Sequence, residues 1–390
     1  MEKLTRPAWI EINLDNLVHN YQQIRNITSP DTEVMAVVKA DAYSLGDVPV
    51  VKALKKQGVR RFAVAILSEA IHIKKYVDDI EILILGYTPD YLLEKAIKND
   101  FILTVYNEKT VIMISEVAQK LNKTVKVHLK IETGMNRLGF VPGKETVEII
   151  KRISEFSNIF IEGIYTHFAV ADEDMSYTLE QVDRFNAVVK RLEDVGVNIP
   201  LKHVKNSAGI VNLNEYDFDL VRPGAILYGI KIYPDINPNG NRLDFKAPLT
   251  LKANISNVKV ISKGEKISYG LIFEAKQETT IATVPIGYAD GYNRLLSNIG
   301  RCIVNGKVVT VAGRVCMDQL MLDVTGVDVE IGDEVILLGP SADKEISLEE
   351  VGNQVGDIPY AVLCAINKRL PRVYIEKGDV VEIIDYLDRI

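Results

Sequence analysis

Residues 36–43, AVVKADAY, carry an apolar run into Lys39, with Asp41 and Tyr43 close behind. Alone, the octet fits a strand-end lysine whose ammonium reaches water along its apolar stem. A lysine can also be a nucleophile or base, once burial or neighbouring cations lower its reference pKa of about 10.4. Other reactive types follow short apolar runs in the same way. Arg137 lies in ETGMNRLGF, His167 follows IEGIYT, Asn206 and Ser207 follow LKHVK, and Arg222 and Gly224 lie in DLVRPG. Solvated loops ordinarily carry Asp, Asn, Gly and Pro. A lysine, two arginines, a histidine and a hydroxyl–glycine set gathered at one mouth would do more, with Arg137 and Arg222 as the cations expected to depress Lys39.

Such convergence needs strands that all end on the same side. Eight short apolar runs begin at residues 34, 61, 81, 102, 125, 161, 201 and 219, separated by stretches with helical spacing. DVPVVKALKKQG reads as a helix ending near Gly58, SEAIHIKKYV as one capped by Ser68, and TLEQVDRFNAVVKRLEDVG as an amphipathic helix. Eight parallel strands with crossover helices predict an N-terminal (β/α)8 TIM-like barrel, whose chemistry gathers at the carboxyl ends of its strands. An open doubly wound sheet is the alternative, but no dinucleotide fingerprint follows the first strand. From about residue 245 the pattern turns strand-rich, with VNGKVV as a hairpin signal. The expected division is a barrel over 12–245 and a mostly-β C-terminal domain over 246–390, with residues 1–11 contributing its first strand through AWIEINL (8–14).

Composition narrows the function classes. A net charge of −7 argues against nucleic-acid and anionic-membrane partners. No apolar run approaches the roughly 18–20 residues that span a bilayer, and the start has no signal-peptide pattern. Cys302, Cys316 and Cys364 form no disulfide framework or CxxC pair, and the histidines form no HExxH motif, so no metal is expected and the cytoplasm is the expected compartment.

Several segments together resemble alanine racemase, a pyridoxal-phosphate (PLP) enzyme family of the barrel-plus-β-domain type. They are AVVKADAY (36–43), HLKIETGMNRLGF (128–140), GIYTHFAVAD (163–172), NSAG (206–209), VRPGAILYG (221–229), ISYG (267–270), PIGYADGYNR (285–294), AGRVCMDQ (312–319) and YAVLCAINKRLPRVY (360–374). Two departures stand out: Ser44-Leu45-Gly46 replaces the usual Gly-His-Gly, and Val204-Lys205 precedes Asn206 where small residues are more usual.

The resemblance implies roles. Lys39 is the imine lysine and one of two catalytic bases; Tyr269, from the second subunit of a homodimer, is the other. Arg222 faces the pyridine nitrogen, with ion pairing to Asp219 as the alternative. Tyr43, Asn206, Ser207, Gly224, Ala225 and Tyr360 belong to the cofactor's cradle. Arg137 and Met317 serve the substrate, and Arg137 also meets the cofactor's phenolic oxygen. His167 links Tyr269 to Arg222. Lys130 matches a lysine often carbamylated in the family, with an ion pair to Glu132 or Asp172 as the alternative. Tyr288, Asp172, Arg294, Arg314 and Ile358 line the substrate passage. The implied activity is interconversion of L- and D-alanine for peptidoglycan precursor supply. Serine or broader specificity, a PLP decarboxylase of basic amino acids, and a non-catalytic PLP carrier are the alternatives.

Overall fold

All eight apolar runs become strands of one parallel sheet. The computed structural model describes residues 4–232, 237–240 and 242–387, so both ends of the chain and a short part of the expected barrel span lie outside the described residues. After β1 (Ala8–Asn13) come β2 (Glu33–Val37), β3 (Arg61–Val64), β4 (Glu81–Ile84), β5 (Ile102–Val105), β6 (Val125–Lys130), β7 (Ile159–Tyr165), β8 (Leu201–His203) and β9 (Leu220–Val221). Their spatial order is β8-β7-β6-β5-β4-β3-β2-β9. The strands are buried because helices cover the outer face and the barrel's own side chains fill the inner one. β8 and β9 form no ladder. Two backbone bonds, Asp219 N–H to Lys202 carbonyl at 3.1 Å and Arg222 N–H to Lys205 carbonyl at 3.0 Å, close that seam.

Helices follow the apolar spacing, with one correction at a cap. The helix Met175–Asp194 starts from Asp174, whose carboxylate accepts the Tyr177 N–H. The helix Leu67–Lys74 starts before Ser68, so Ser68 cannot be its N-cap. Glu69 reaches back instead, accepting the N–H groups of Ala65 at 2.8 Å and Ile66 at 3.2 Å.

β1 lies in the other sheet, between β10 (Leu249–Asn254), to which it is antiparallel, and the strand Arg372–Glu376, to which it is parallel. The hairpin signal becomes strands Arg301–Val304 and Lys307–Val311, joined at Asn305-Gly306 with φ of 47° and 71°, the primed turn that matches strand twist. This sheet also grips the barrel: Tyr374 donates its hydroxyl to the Leu45 carbonyl at 2.8 Å.

Candidate active site

β2 ends at Val37, and Ala40–Ser44 then take five consecutive left-handed φ values between 50° and 69°. Left-handed backbone costs an L-residue roughly 1–2 kcal/mol, so the turn persists only where neighbours hold it. Glu69 accepts the Ala40 N–H at 2.7 Å, Asp41 accepts the Asp47 N–H at 3.2 Å, and Arg372 donates to the Ser44 carbonyl at 3.3 Å. Lys39, at the start of this turn, is half-buried. Burial, and after it the Arg137 guanidinium, hold its amine below the ordinary lysine value. Of the two arginines expected beside Lys39, only Arg137 acts on it. Arg222 lies deeper and acts on His167, Lys130 and Tyr165.

Lys130 ends β6, buried, with Nζ donating to the Ile131 carbonyl at 2.7 Å. Neither Glu132 nor Asp172 pairs with it; the Glu132 carboxylate is occupied by the N–H groups of Gly134 and Arg137. Burial, helped by Arg222 and Arg137 and opposed by Glu132, brings the Lys130 amine down to about 8.

Arg222 follows β9 and is buried. It donates to the carbonyls of Thr166 at 2.6 Å and Val204 at 3.1 Å, and to His203 Nδ1 at 2.7 Å. Asp219 is no partner; its carboxylate accepts the Lys202 N–H at 2.7 Å. Nor is His167 the histidine bound to Arg222. The Thr166 carbonyl takes the donor on that side, and His203, stacked on Tyr165 at 4.8 Å, takes the other. His167 stands just beyond, held well below its ordinary pKa by burial and then by Arg222, Arg137, Lys130 and Lys39, so it is neutral.

The floor of the mouth is small and rich in donors. The Ser207 hydroxyl accepts the Gly224 N–H at 2.9 Å, and Asn206 caps the short helix Ser207–Asn212 by accepting the Gly209 N–H at 3.0 Å. A Cβ on Gly224 would stand 2.8 Å from the Tyr43 hydroxyl, so glycine keeps open the space beneath it. Ala225 opens the following single turn. Tyr360, on the helix Pro359–Cys364 that packs over the Lys39 turn, has its hydroxyl pushed up to about 12 by burial and then by nearby Asp172. These groups could hold a phosphorylated cofactor.

Apart from Tyr360, the residues expected from the β domain lie on exposed or half-buried segments. Tyr269 is 72% exposed and Met317 53%. Ser268 donates to the Arg314 carbonyl at 2.7 Å, and the Arg314 side chain lies against Gly270, which ties Arg314 to the Tyr269 turn. Tyr288 N–H bonds the Cys316 carbonyl and Ala289 N–H the Met317 carbonyl, both at 3.0 Å, which joins those two loops. Arg294 and Ile358 are exposed on neighbouring segments.

Comparison with known proteins agrees with this layout. Residues 12–232 match the model of the alanine racemase N-terminal domain, and residues 248–374 that of the C-terminal domain. The chain belongs to the alanine racemase family. It is 45% identical over 390 residues to alanine racemase from Clostridium tetani, covering 99% of this chain and all of that one. The solved alanine racemase from Clostridium difficile 630 superposes with a TM-score of 0.94 at 41% identity, covering 99% of this chain and 100% of the other. The Bacillus anthracis enzyme, solved with bound L-Ala-P, has a TM-score of 0.93 at 35% identity and covers the same shares.

Sequence reasoning passed over Glu69, His128, Glu162 and His203. Glu162 had the clearest signal, a carboxylate inside the otherwise apolar β7; His128 lies between Val127 and Leu129 in β6, whereas His203 only ends β8 after Lys202 and Glu69 lies on the helix Leu67–Lys74, where neither stood out. No group of three or more His, Cys, Asp or Glu suited to a metal occurs among the described residues, and no described helix is long and apolar enough to cross a membrane.

Proposed function

We propose that this chain interconverts L-alanine and D-alanine with PLP, as a cytoplasmic homodimer with two shared sites that supplies D-alanine for peptidoglycan precursors. The observation that carries the reading is a lysine amine depressed by burial and Arg137 at the same mouth as a buried guanidinium that can only donate. When bound, PLP supplies an electron sink for the α-carbon of an amino acid. Lys39 would tether it and hold or return the α-proton at Nζ on one face. The partner subunit's Tyr269 would do the same at Oη on the opposite face, because a base on one face cannot serve both enantiomers. The exposure of Tyr269 in its own chain supports a role across a subunit boundary. Neutral His167 can accept a hydrogen bond from that tyrosine.

Arg222 would donate to the ring nitrogen. Burial lowers its pKa to about 10, so it stays protonated at neutral pH and has no site to accept a proton. The nitrogen it holds would stay unprotonated, which weakens electron withdrawal and favours returning a proton to the same carbon. An acid at this position would favour decarboxylation of basic amino acids; Arg222 does not. Tyr43, Asn206, Ser207, Gly224, Ala225 and Tyr360 would hold the phosphate end. Arg137 would serve the phenolic oxygen and, with the Met317 amide, the substrate carboxylate. Lys130, with an amine near 8 beside Arg137, suits a carbamate that orients that arginine. Tyr288, Asp172, Arg294, Arg314 and Ile358 would narrow the passage to small side chains.

The test is incubation of the purified protein with PLP and each common L-amino acid, followed by chromatographic resolution of enantiomers. D-Alanine should dominate the products. Dominant D-serine would move the substrate, and carbon dioxide release from ornithine or diaminopimelate without D-alanine would overturn the reading.

A further inference from the structure

A chain of hydrogen bonds runs through the barrel interior from Arg222 to the amino ends of the strands, and the scheme above leaves most of it without a task. Arg222 Nη1 lies 2.7 Å from His203 Nδ1, His203 Nε2 lies 2.9 Å from His128 Nδ1, and His128 Nε2 lies 3.1 Å from a Glu162 carboxylate oxygen. Beyond Glu162 stand Arg61 at 3.1 Å and Lys126 at 2.8 Å. Arg61 pairs in turn with Glu33 at 2.7 Å and Glu81 at 2.8 Å, and Lys126 also pairs with Glu81. Glu33 is exposed, so the chain meets water there, whereas His128, His203, Glu162 and Arg222 are all buried.

The donors set a direction. A guanidinium only donates, so His203 Nδ1 must accept, and a neutral His203 carries its proton on Nε2. That proton faces His128 Nδ1, which must accept in turn. The His128 proton is therefore on Nε2, facing Glu162. An ionised carboxylate is the strongest acceptor to close such a chain. Burial alone would raise Glu162, but hydrogen bonds from His128 and Lys126 and the Arg61 charge outweigh it and hold the carboxyl at about 2. Burial is the largest influence on both histidines and lowers them; for His128 it outweighs the pull of Glu162, and for His203 Arg222 reinforces it.

The backbone is shaped to make these contacts. The β6–β7 register shifts between Val127 and His128, a local irregularity of the kind that re-aims a side chain. A Cβ on Gly163 would come within 2.6 Å of the His128 ring, so only glycine leaves room for it.

We propose that Glu162 and His128 are positioning residues for Arg222: together they select the His203 tautomer whose Nδ1 lone pair holds the guanidinium in place. Without the carboxylate, the His203 tautomer protonated on Nδ1 becomes accessible and turns a donor against the donors of Arg222. The catalytic consequence rests on the role of Arg222 proposed above; the tautomer itself does not.

The test begins with ¹⁵N-histidine NMR of the unmutated, cofactor-free protein. His128 and His203 should both be neutral and protonated on Nε2 from about pH 6 to pH 9. An imidazolium, or an Nδ1-protonated His203, would overturn the proposal whether or not the protein racemises alanine. Glu162→Gln, matched in shape but uncharged, should show mixed His203 tautomers without cofactor. In the loaded enzyme, kcat should fall about tenfold while KM changes less than about twofold. Glu162→Asp, which keeps the charge, should restore the single tautomer. A folded Glu162→Gln protein with unchanged tautomers, or an aspartate variant as disturbed as the glutamine one, would assign the effect to packing and overturn the proposal.

Discussion

At the barrel mouth, Arg222, Ser207 and Tyr43 are buried, and each of the polar contacts described for Arg222 and Ser207 is made within one chain. In the β domain, Tyr269 is 72% exposed and Met317 53%, and Leu271, Ile272 and Leu295 stand exposed on the same or adjoining turns. The first region is held by hydrogen bonds among groups buried in the barrel. The second presents aromatic and aliphatic groups that their own chain does not cover, as an interaction surface does. The residues proposed for the chemistry thus divide into a buried set at the mouth and an exposed set on the Tyr269 and Met317 turns.

The comparison breaks most visibly at Lys39. Lys39→Ala, assayed with PLP, should fold normally and lose at least about 10³-fold in activity; a loss within tenfold would mean the mouth is not the reacting centre. Tyr269→Phe should cost about 10²–10⁴-fold, more in one direction of proton transfer than in the other. Equal small losses in both directions would remove the second base. Mixing the two inactive variants sharpens the contrast between regions. If Tyr269 serves the partner's Lys39, random re-pairing should restore about a quarter of wild-type activity, because half the dimers are mixed and each rebuilds one of two sites. No recovery after exchange would place both bases in one chain.

A smaller effect is expected at the support of the Lys39 turn. Glu69→Gln puts a donor where the carboxylate accepts from Ala40, Ala65 and Ile66. It should destabilise the protein by about 1–3 kcal/mol in urea unfolding, with a smaller loss of activity than Tyr269→Phe. Unchanged stability would mean that the contacts of Asp41, Arg372 and Tyr374 hold the left-handed turn without Glu69.

The last effect is confined to acid pH and concerns stability alone. Glu162 is held at about 2 in the folded chain against an ordinary 4.5, so the folded state binds fewer protons across that window. Its contribution is complete above about pH 4.5 and is lost as pH falls toward 2. Glu162→Gln should flatten that limb of the stability curve; the same slope in both proteins would show that the interior carboxylate is not selectively stabilised.

The eight barrel strands were legible because short β-branched runs buried on two faces have few other uses, and the residues behind them were legible as strand-end groups. The Lys39 turn was not. KADAYS contains no glycine to announce five left-handed residues, and the groups that hold them come from Glu69, Arg372 and Tyr374. Ser68 looked like a cap, but Glu69 reaches further back and takes the backbone donors. The arginine–histidine link fell to His203 rather than His167 because the Thr166 carbonyl occupies one donor of Arg222.

Residue order was enough to specify the barrel, the β-rich second half, the family and the kinds of group at the mouth, since burial periodicity and local motifs are properties of neighbours along the chain. Only the folded molecule decided which arginine acts on Lys39, which histidine faces Arg222, and that His128 and Glu162 stand behind it. Those choices turn on ångström-scale distances between strands far apart in sequence, set by register and by the carbonyl or carboxylate that reaches each donor first.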